Sequence, residues 1–163
     1  MNTGTETKRP WGRDIGGLLF WLALSAIVAS FGGYFGPEDW YPQIVKPSWN
    51  PPGWVFGPVW TALYIAMAVA AWRVWRVGGW RHNRTPLTLY LVQLVLNAAW
   101  SWIFFGQHAI GWAVVDILAL LVVILVVTAM FWKKERVAGW LMVPYVLWVG
   151  FASVLNFRIW TLN

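Results

Sequence analysis

Cysteine is absent from the chain, and acidic residues are scarce: six Asp plus Glu against twelve Lys plus Arg in 163 positions. The first absence removes disulfides, thiolate catalysis and cysteine-ligated zinc or iron–sulfur centres together. Charged residues make up only 11% of the chain, against the roughly 25% usual in soluble domains, so a soluble basic domain does not explain the net charge of +6. Internal repeats, low-complexity tracts, acid pairs and glycine-rich phosphate loops are also missing. Ser101, Ser153, Thr61 and Thr128 have no neighbouring base in the sequence pattern, so hydrolytic and phosphoryl-transfer chemistry lack support.

What is present is apolar: 60% of residues are hydrophobic and 18% aromatic, with 16 Trp. Tryptophan suits the headgroup level of a bilayer, yet sixteen exceed what two interfacial belts require. Five apolar stretches, approximately 15–35, 51–77, 86–106, 110–132 and 137–160, each approach the roughly 20 residues that span a bilayer. The expected fold is an all-α membrane protein, one five-transmembrane-helix bundle over residues 1–163 with a polar, basic segment at 1–14. The first stretch lacks a small-residue cleavage signature and reads as a retained span rather than a signal peptide. Gly36-Pro37 closes span one, Pro51-Pro52 suit the first turn of span two, and Pro86 opens span three. Pro58 and Pro144 lie inside spans, where bends are expected.

Basic residues set the orientation. Ten of the twelve fall on one side: Lys8, Arg9 and Arg13, then Arg73, Arg76, Arg81 and Arg84, then Lys133, Lys134 and Arg136. Lys46 and Arg158 fall on the other. By the positive-inside rule the N-terminus is cytoplasmic and the C-terminus outside. Because topology accounts for these charges, no phosphate-tracking groove is implied and no nucleic-acid partner is expected. The longest outside connection, 37–50, reads PEDWYPQIVKPSWN, too aromatic and proline-rich for a flexible link.

Polar and aromatic residues then form stripes at helical spacing. Gln93, Asn97, Trp100 and Phe104 share a face of span three; Trp60 and Tyr64 do so on span two, Trp112 and Asp116 on span four, and Trp148 and Ala152 on span five. At 1.5 Å per residue Trp60, Asn97 and Trp148 lie roughly 13 to 18 Å below the outer end, a shared depth. Asp116 and Asn156 come out shallower, under the 37–50 connection. An aromatic pocket with a few amides and a lid suits a flat, mostly apolar ligand. The plainer alternative is that the amides bond neighbouring helices and the indoles fill a core. Asp116, the acid within a span, is a functional candidate or a carboxylate bonded to a nearby Trp N–H, Asn or helix end. His82 and His108 lie on opposite sides and make no metal site; a lone loop histidine is more often merely solvated, and axial contact of His108, on the pocket side, with a haem iron is the less favoured alternative.

The runs KPSWNPPGWVFGPVWTALY (46–64), QLVLNAAW (93–100) with IFFG after it, GWAVVD (111–116), and PYVLW with LNFRIW near the end resemble the TspO/MBR family, the translocator proteins, tryptophan-rich sensory proteins or peripheral benzodiazepine receptors. The resemblance covers all five spans in order. It implies a five-helix membrane protein, commonly a homodimer, whose pocket is capped by the connection between spans one and two. It also implies tetrapyrrole ligands, protoporphyrin IX and haem, with no cofactor required. Family pocket residues fall on Tyr41, Trp60, Tyr64, Asn97, Trp100, Trp112, Trp148 and Ala152. In the light-dependent porphyrin breakdown associated with some bacterial members, the two tryptophans correspond to Trp60 and Trp148. The family's sterol motif needs a Tyr and then Lys or Arg where this chain has Phe157 and Thr161, which counts against cholesterol through that motif. A reversed pattern at Arg84, Tyr90 and Val92 is weak evidence for it.

Three functions follow as expectations: a tetrapyrrole binder or sensor, a light- and oxygen-dependent porphyrin-degrading enzyme acting through Trp60 and Trp148, and a facilitator of porphyrin or sterol transport. The reading leans to binding. Five spans, no repeat and one intramembrane acid do not make a stand-alone pump. Gly16, Gly17, Gly32, Gly33, Ala98 and Ala99 would permit close helix approach, within one bundle or between two copies.

Overall fold

A computed structural model describes residues 11–36 and 40–163. Lys8, Arg9 and Pro37, named above for the charge count and the end of span one, lie outside the described residues. Five helices follow one another: α1 (Trp11–Tyr34), α2 (Gly53–His82), α3 (Arg84–Ser101), α4 (Ile110–Lys134) and α5 (Arg136–Leu162), with a π turn, Trp102–Gly106, continuing α3. All five spans are long and apolar enough to cross a membrane. The chain is a multi-pass membrane protein.

The helices extend past the expected limits at the basic end, span two running to His82 rather than 77 and span four to Lys134 rather than 132. Arg76, Arg81, Lys133 and Lys134 are exposed there, and long basic side chains let a helix leave hydrocarbon without ending. Single residues make the turns. The buried Asn83 joins α2 to α3 and donates from Nδ2 to the Val74 carbonyl at 2.8 Å. Glu135 joins α4 to α5 and caps α5, its carboxylate accepting from the Val137 and Ala138 amides at 3.3 and 2.7 Å.

Both interior prolines, Pro58 and Pro144, sit within continuous helix. The backbone inside a span instead leaves helical geometry at Gly79, with φ 67 and ψ −172. That region is open to glycine and closed to nearly every other residue. Pro52 is not in the first turn of α2 but stands as its N-cap, with φ −56 and ψ 141.

Small residues allow close packing at the bundle centre, where Ala68, Ala70 and Ala71 of α2 are fully buried. Trp21 of α1 meets Tyr90 of α3 edge-on at 5.5 Å, and Tyr90 stacks on Phe131 of α4 at 6.0 Å. Ser25 and Tyr90 share a hydroxyl–hydroxyl bond of 3.0 Å. At the basic end Trp72 Nε1 donates to the Asp14 carbonyl at 2.8 Å and Arg76 pairs with Asp14 at 3.2 Å, tying α1 to α2. Arg73 grips Glu135 with two bonds of 2.8 and 3.1 Å, tying α2 to the α4–α5 turn. The ends of α1, α2 and α4 that bear the basic clusters therefore form one face of the bundle.

Candidate functional site

Three stripes converge in the half of the bundle opposite that basic face. From α2 come Phe56, Trp60 and Tyr64, spaced four apart; from α3 come Gln93, Asn97 and Trp100, with Phe104 in the π turn; from α5 come Tyr145, Trp148 and Ala152. Trp60 lies with its ring centre 5.8 Å from Tyr64 and 6.3 Å from Tyr145. Phe56 meets Trp148 edge-on at 5.8 Å. The α2 and α5 stripes thus face each other over two turns.

Amides and hydroxyls bind the three helices together at the floor. The Tyr64 hydroxyl donates to Asn97 Oδ1, Asn97 Nδ2 donates to the Tyr145 hydroxyl at 3.0 Å, and that hydroxyl donates to Gln93 Oε1 at 2.9 Å. Gln93, Asn97, Tyr64 and Tyr145 are all buried. In a medium without water an unpaired amide is expensive, and here each amide oxygen finds a phenol. One turn outward, Trp100 Nε1 donates to Asn156 Oδ1 at 2.9 Å, and Asn156 Nδ2 donates to the Ile110 carbonyl at 3.3 Å. Trp100 stacks on Phe104 at 5.2 Å and 20°.

Trp148 differs from Trp100. Its Nε1–H is buried and has no hydrogen-bond partner among the described residues, although Phe56 and Phe151 lie against the ring at 5.8 and 5.7 Å. A buried donor left unpaired costs about 1–3 kcal/mol, which an acceptor on a guest would recover.

The 40–50 segment covers the end of the bundle opposite the basic face at two points. Tyr41 packs on Phe104 and Phe105 at 6.1 and 5.6 Å, above the α3 stripe, and Trp49 packs on Phe151 at 5.9 Å, beside Trp148. Lys46 turns inward along the segment, its Nζ donating to the carbonyls of Tyr41 at 2.7 Å and Ile44 at 2.8 Å. The Tyr41 hydroxyl donates to Asn50 Oδ1 at 3.1 Å. Burial pushes the Tyr41 phenol up, the Asn50 bond offsetting part of the effect, so it stays a neutral donor. Asn163 straps the segment to α5: its Oδ1 accepts from the Val45 amide at 3.0 Å and its Nδ2 donates to the Val45 carbonyl at 2.9 Å.

Tyr41, Trp60, Tyr64, Asn97, Trp100, Trp148 and Ala152 therefore gather in one region. Trp112 does not join them. It is 71% exposed and shares with Asp116 a lateral groove between the π turn and α4. Among the described residues the buried Oδ2 of Asp116 has neither a Trp N–H, an Asn nor a helix end as partner. His108 is exposed and lies flat on Trp40, 4.3 Å apart at 16°, its φ of 55 fixed by the short turn into α4. Tyr145, Phe56 and Phe151 were not singled out from sequence, although Tyr145 and Phe151 stand three residues either side of Trp148 and Phe56 four before Trp60, a legible helical signal. Asn163 carried no such signal.

Five apolar spans, with aromatic and amide side chains gathered in one half of the bundle, define a polytopic membrane protein. Residues 20–161 match the TspO/MBR family model. The chain is 42% identical over 126 residues to the human translocator protein, covering 76% of this chain and 75% of that one. It is 41% identical over 147 residues to the tryptophan-rich protein TspO of Chlorobaculum tepidum, covering 87% and 92%. To the tryptophan-rich sensory protein of Cereibacter sphaeroides it is 35% identical over 145 residues, covering 89% and 90%. The chain belongs to the TspO/MBR family.

Proposed function

We propose that this protein binds flat, acceptor-bearing tetrapyrroles such as protoporphyrin IX and haem as ligands, as a receptor or sensor within the membrane. The observation that carries the reading is the Trp148 Nε1–H, buried among aromatic rings and unpaired among the described residues. A porphyrin offers both things such a place requires: a wide π surface for Trp60, Trp100 and Trp148, and carboxylates or carbonyl oxygens to accept from an indole. The Tyr64–Asn97–Tyr145–Gln93 chain fixes the floor, and Tyr41 and Trp49 cover the entrance. Stacking and one or two directed bonds are all the chemistry required. Membrane lipid is the other constant partner, and we place the N-terminus in the cytoplasm and the lid outside, on the basic-residue asymmetry. A homodimer is the assembly we favour on family grounds.

Titration with protoporphyrin IX tests this. Tryptophan fluorescence should fall with a saturable, stoichiometric endpoint, and Trp60→Ala with Trp148→Ala should weaken it; linear quenching untouched by either change would refute the reading. Because the chain has no cysteine, Ser48→Cys and Arg81→Cys can be labelled singly with an impermeant maleimide in cells, and only Ser48→Cys should react from outside.

A second reading, light- and oxygen-dependent degradation of the bound porphyrin, is favoured by one observation. Trp60 has the Tyr64 and Tyr145 rings within 5.8 and 6.3 Å, a cluster able to share an electron hole passed from an excited guest. Illuminated turnover should then exceed that of free porphyrin in detergent and collapse in Trp60→Phe; equal rates would remove it.

A further inference from the structure

Away from the three stripes, the π turn and the first turns of α4 enclose a groove of about 510 Å³ lined by Trp102, Ile103, Gln107, Trp112, Val115 and Asp116, with Ala119 at its inner end. None of Trp60, Tyr64, Asn97 or Trp148 belongs to it. On α4, positions 112, 115, 116 and 119 fall on one face. That face lies open on the flank of the bundle: Trp112 is 71% exposed, Val115 57% and, from the adjoining π turn, Trp102 44%. Asp116 stands six residues into α4, roughly 9 Å below its lid-side end at 1.5 Å per residue, near headgroup level.

A carboxylate at that depth normally pairs with a cation or with backbone. Among the described residues Asp116 does neither: Oδ2 is buried without a partner, and the ion pairs are Arg73–Glu135 and Arg76–Asp14, both at the opposite face. On the lid side Lys46 is spent on loop carbonyls and the Tyr41 ring, and Arg158 lies beside Thr161 on α5. No described residue supplies that partner, which leaves the place open to a group from outside them. Two indoles flanking an acid favour one chemistry above others, an ammonium, which gains from both the carboxylate and the aromatic faces. The groove's open side and its apolar continuation along Ile103, Val115 and Ala119 suit an alkyl chain.

We propose that this lateral groove is a second binding site, separate from the central one, for an ammonium-headed amphiphile that enters from the bilayer, its head on Asp116 between Trp102 and Trp112. A choline- or ethanolamine-headed phospholipid and a free long-chain amine share this chemistry.

The test uses a chain-brominated alkyltrimethylammonium, whose bromine quenches nearby indoles, titrated into the full-length protein in neutral maltoside micelles. Saturable quenching is expected, with Kd at least tenfold weaker in Asp116→Asn, which keeps the shape. Ala119→Phe, which fills the inner end from a lipid-exposed position, should weaken it likewise. The brominated alkyl sulfate of equal chain length should give no saturable phase. A brominated phosphatidylcholine that quenches the wild type, but not Asp116→Asn, beyond random mixing would identify the source as bilayer lipid; quenching by the free amine alone would identify a soluble amphiphile. Equal affinity in wild type and Asp116→Asn, equal affinity for ammonium and sulfate heads, or displacement by protoporphyrin IX would each overturn the proposal. Protoporphyrin binding itself should be unchanged in Asp116→Asn, so failure here leaves the central site standing and failure there leaves this one.

Discussion

Trp100 and Asn156 are joined by a 2.9 Å bond from indole nitrogen to amide oxygen, so the α3 indole is held by α5, while the indole N–H of Trp148 on α5 meets no acceptor among the described residues. Equivalent substitutions should therefore have opposite effects. Trp100→Phe orphans a buried Asn156 oxygen and should lower stability by about 1–2 kcal/mol. Trp148→Phe removes an unpaired donor and should leave the melting temperature unchanged or slightly higher. Its protoporphyrin IX affinity should instead fall about 5–10-fold, near 1–1.4 kcal/mol, the worth of one hydrogen bond. Thermal melts paired with titrations check both; a destabilised Trp148→Phe that binds normally would contradict the assignment of the free indole.

Asn97 is the hinge of the floor, accepting from Tyr64 on α2 and donating to Tyr145 on α5. Replacing it with Leu strips a partner from two buried phenols at once. The loss should be about 1–3 kcal/mol, nearer the low end because hydrogen bonds measured within membranes average about 0.6 kcal/mol. Tyr64→Phe removes one arm of the same connection, so the double variant should cost less than the sum of the singles by at least about 0.5 kcal/mol. Strict additivity in unfolding measurements would mean the two side chains are energetically independent.

The five spans were legible because an apolar run near twenty residues is the length a bilayer demands and a soluble core seldom does. The shared depth of Trp60, Asn97 and Trp148 followed from rise per residue alone. The rotation of α4 was not legible. Trp112 and Asp116 at i and i+4 must share a face, but lipid and protein core are equally apolar, so on a helix as uniformly hydrophobic as α4 nothing in the pattern says which face turns inward. The same blindness hid the strap at Asn163, whose partner Val45 is 118 residues away. Proline drew attention to Pro58 and Pro144, yet the backbone departure fell at Gly79, where two adjacent glycines sit between Arg76 and Arg81.

Gly79 offers a direct check on that departure. With φ 67 and ψ −172 it occupies a region an L side chain enters only with strain, so Gly79→Ala should destabilise the protein by about 1–3 kcal/mol. Gly150, in the helical interior of α5 with nothing within 4 Å of an added Cβ and no proline after it, is the control. Gly150→Ala should be neutral or stabilising by up to about 1 kcal/mol. Equal melting temperatures for the two variants would show that α2 runs straight through Gly79 in solution.

Glu135 gives stability a pH dependence. Its bonds with the Arg73 guanidinium, then those with the Ala138 and Val137 amides, outweigh burial and hold its carboxyl below the ordinary value of 4.5. A depressed folded-state pKa contributes stability that is fully present above the unfolded value and lost as pH falls through the folded one. Wild-type melting temperature should therefore be flat from neutral pH to about 5 and drop below it. Glu135→Gln should start lower, having lost the ion pair with Arg73, and show a shallower fall over the same acid range. Parallel curves for the two proteins would mean that another carboxylate governs the acid limb.

Asn163 makes the lid's hold on α5 measurable. Its side chain meets both the amide and the carbonyl of Val45, in the manner of one rung of a ladder, while Nδ2 also donates to the Ile159 carbonyl at 2.8 Å. Asn163→Ala removes both attachments and touches none of Tyr41, Trp60 or Trp148. Bound porphyrin would then escape through a looser cover: dissociation should accelerate about 3–10-fold, equivalent to one net hydrogen bond, with association nearly unchanged. Hydrogen exchange provides a reading that needs no ligand, since the Val45 amide loses its acceptor and should exchange faster in the variant. Faster exchange without faster release would separate the strap from ligand retention, and unchanged exchange would show that the lid is held mainly by Tyr41 on Phe104 and Trp49 on Phe151.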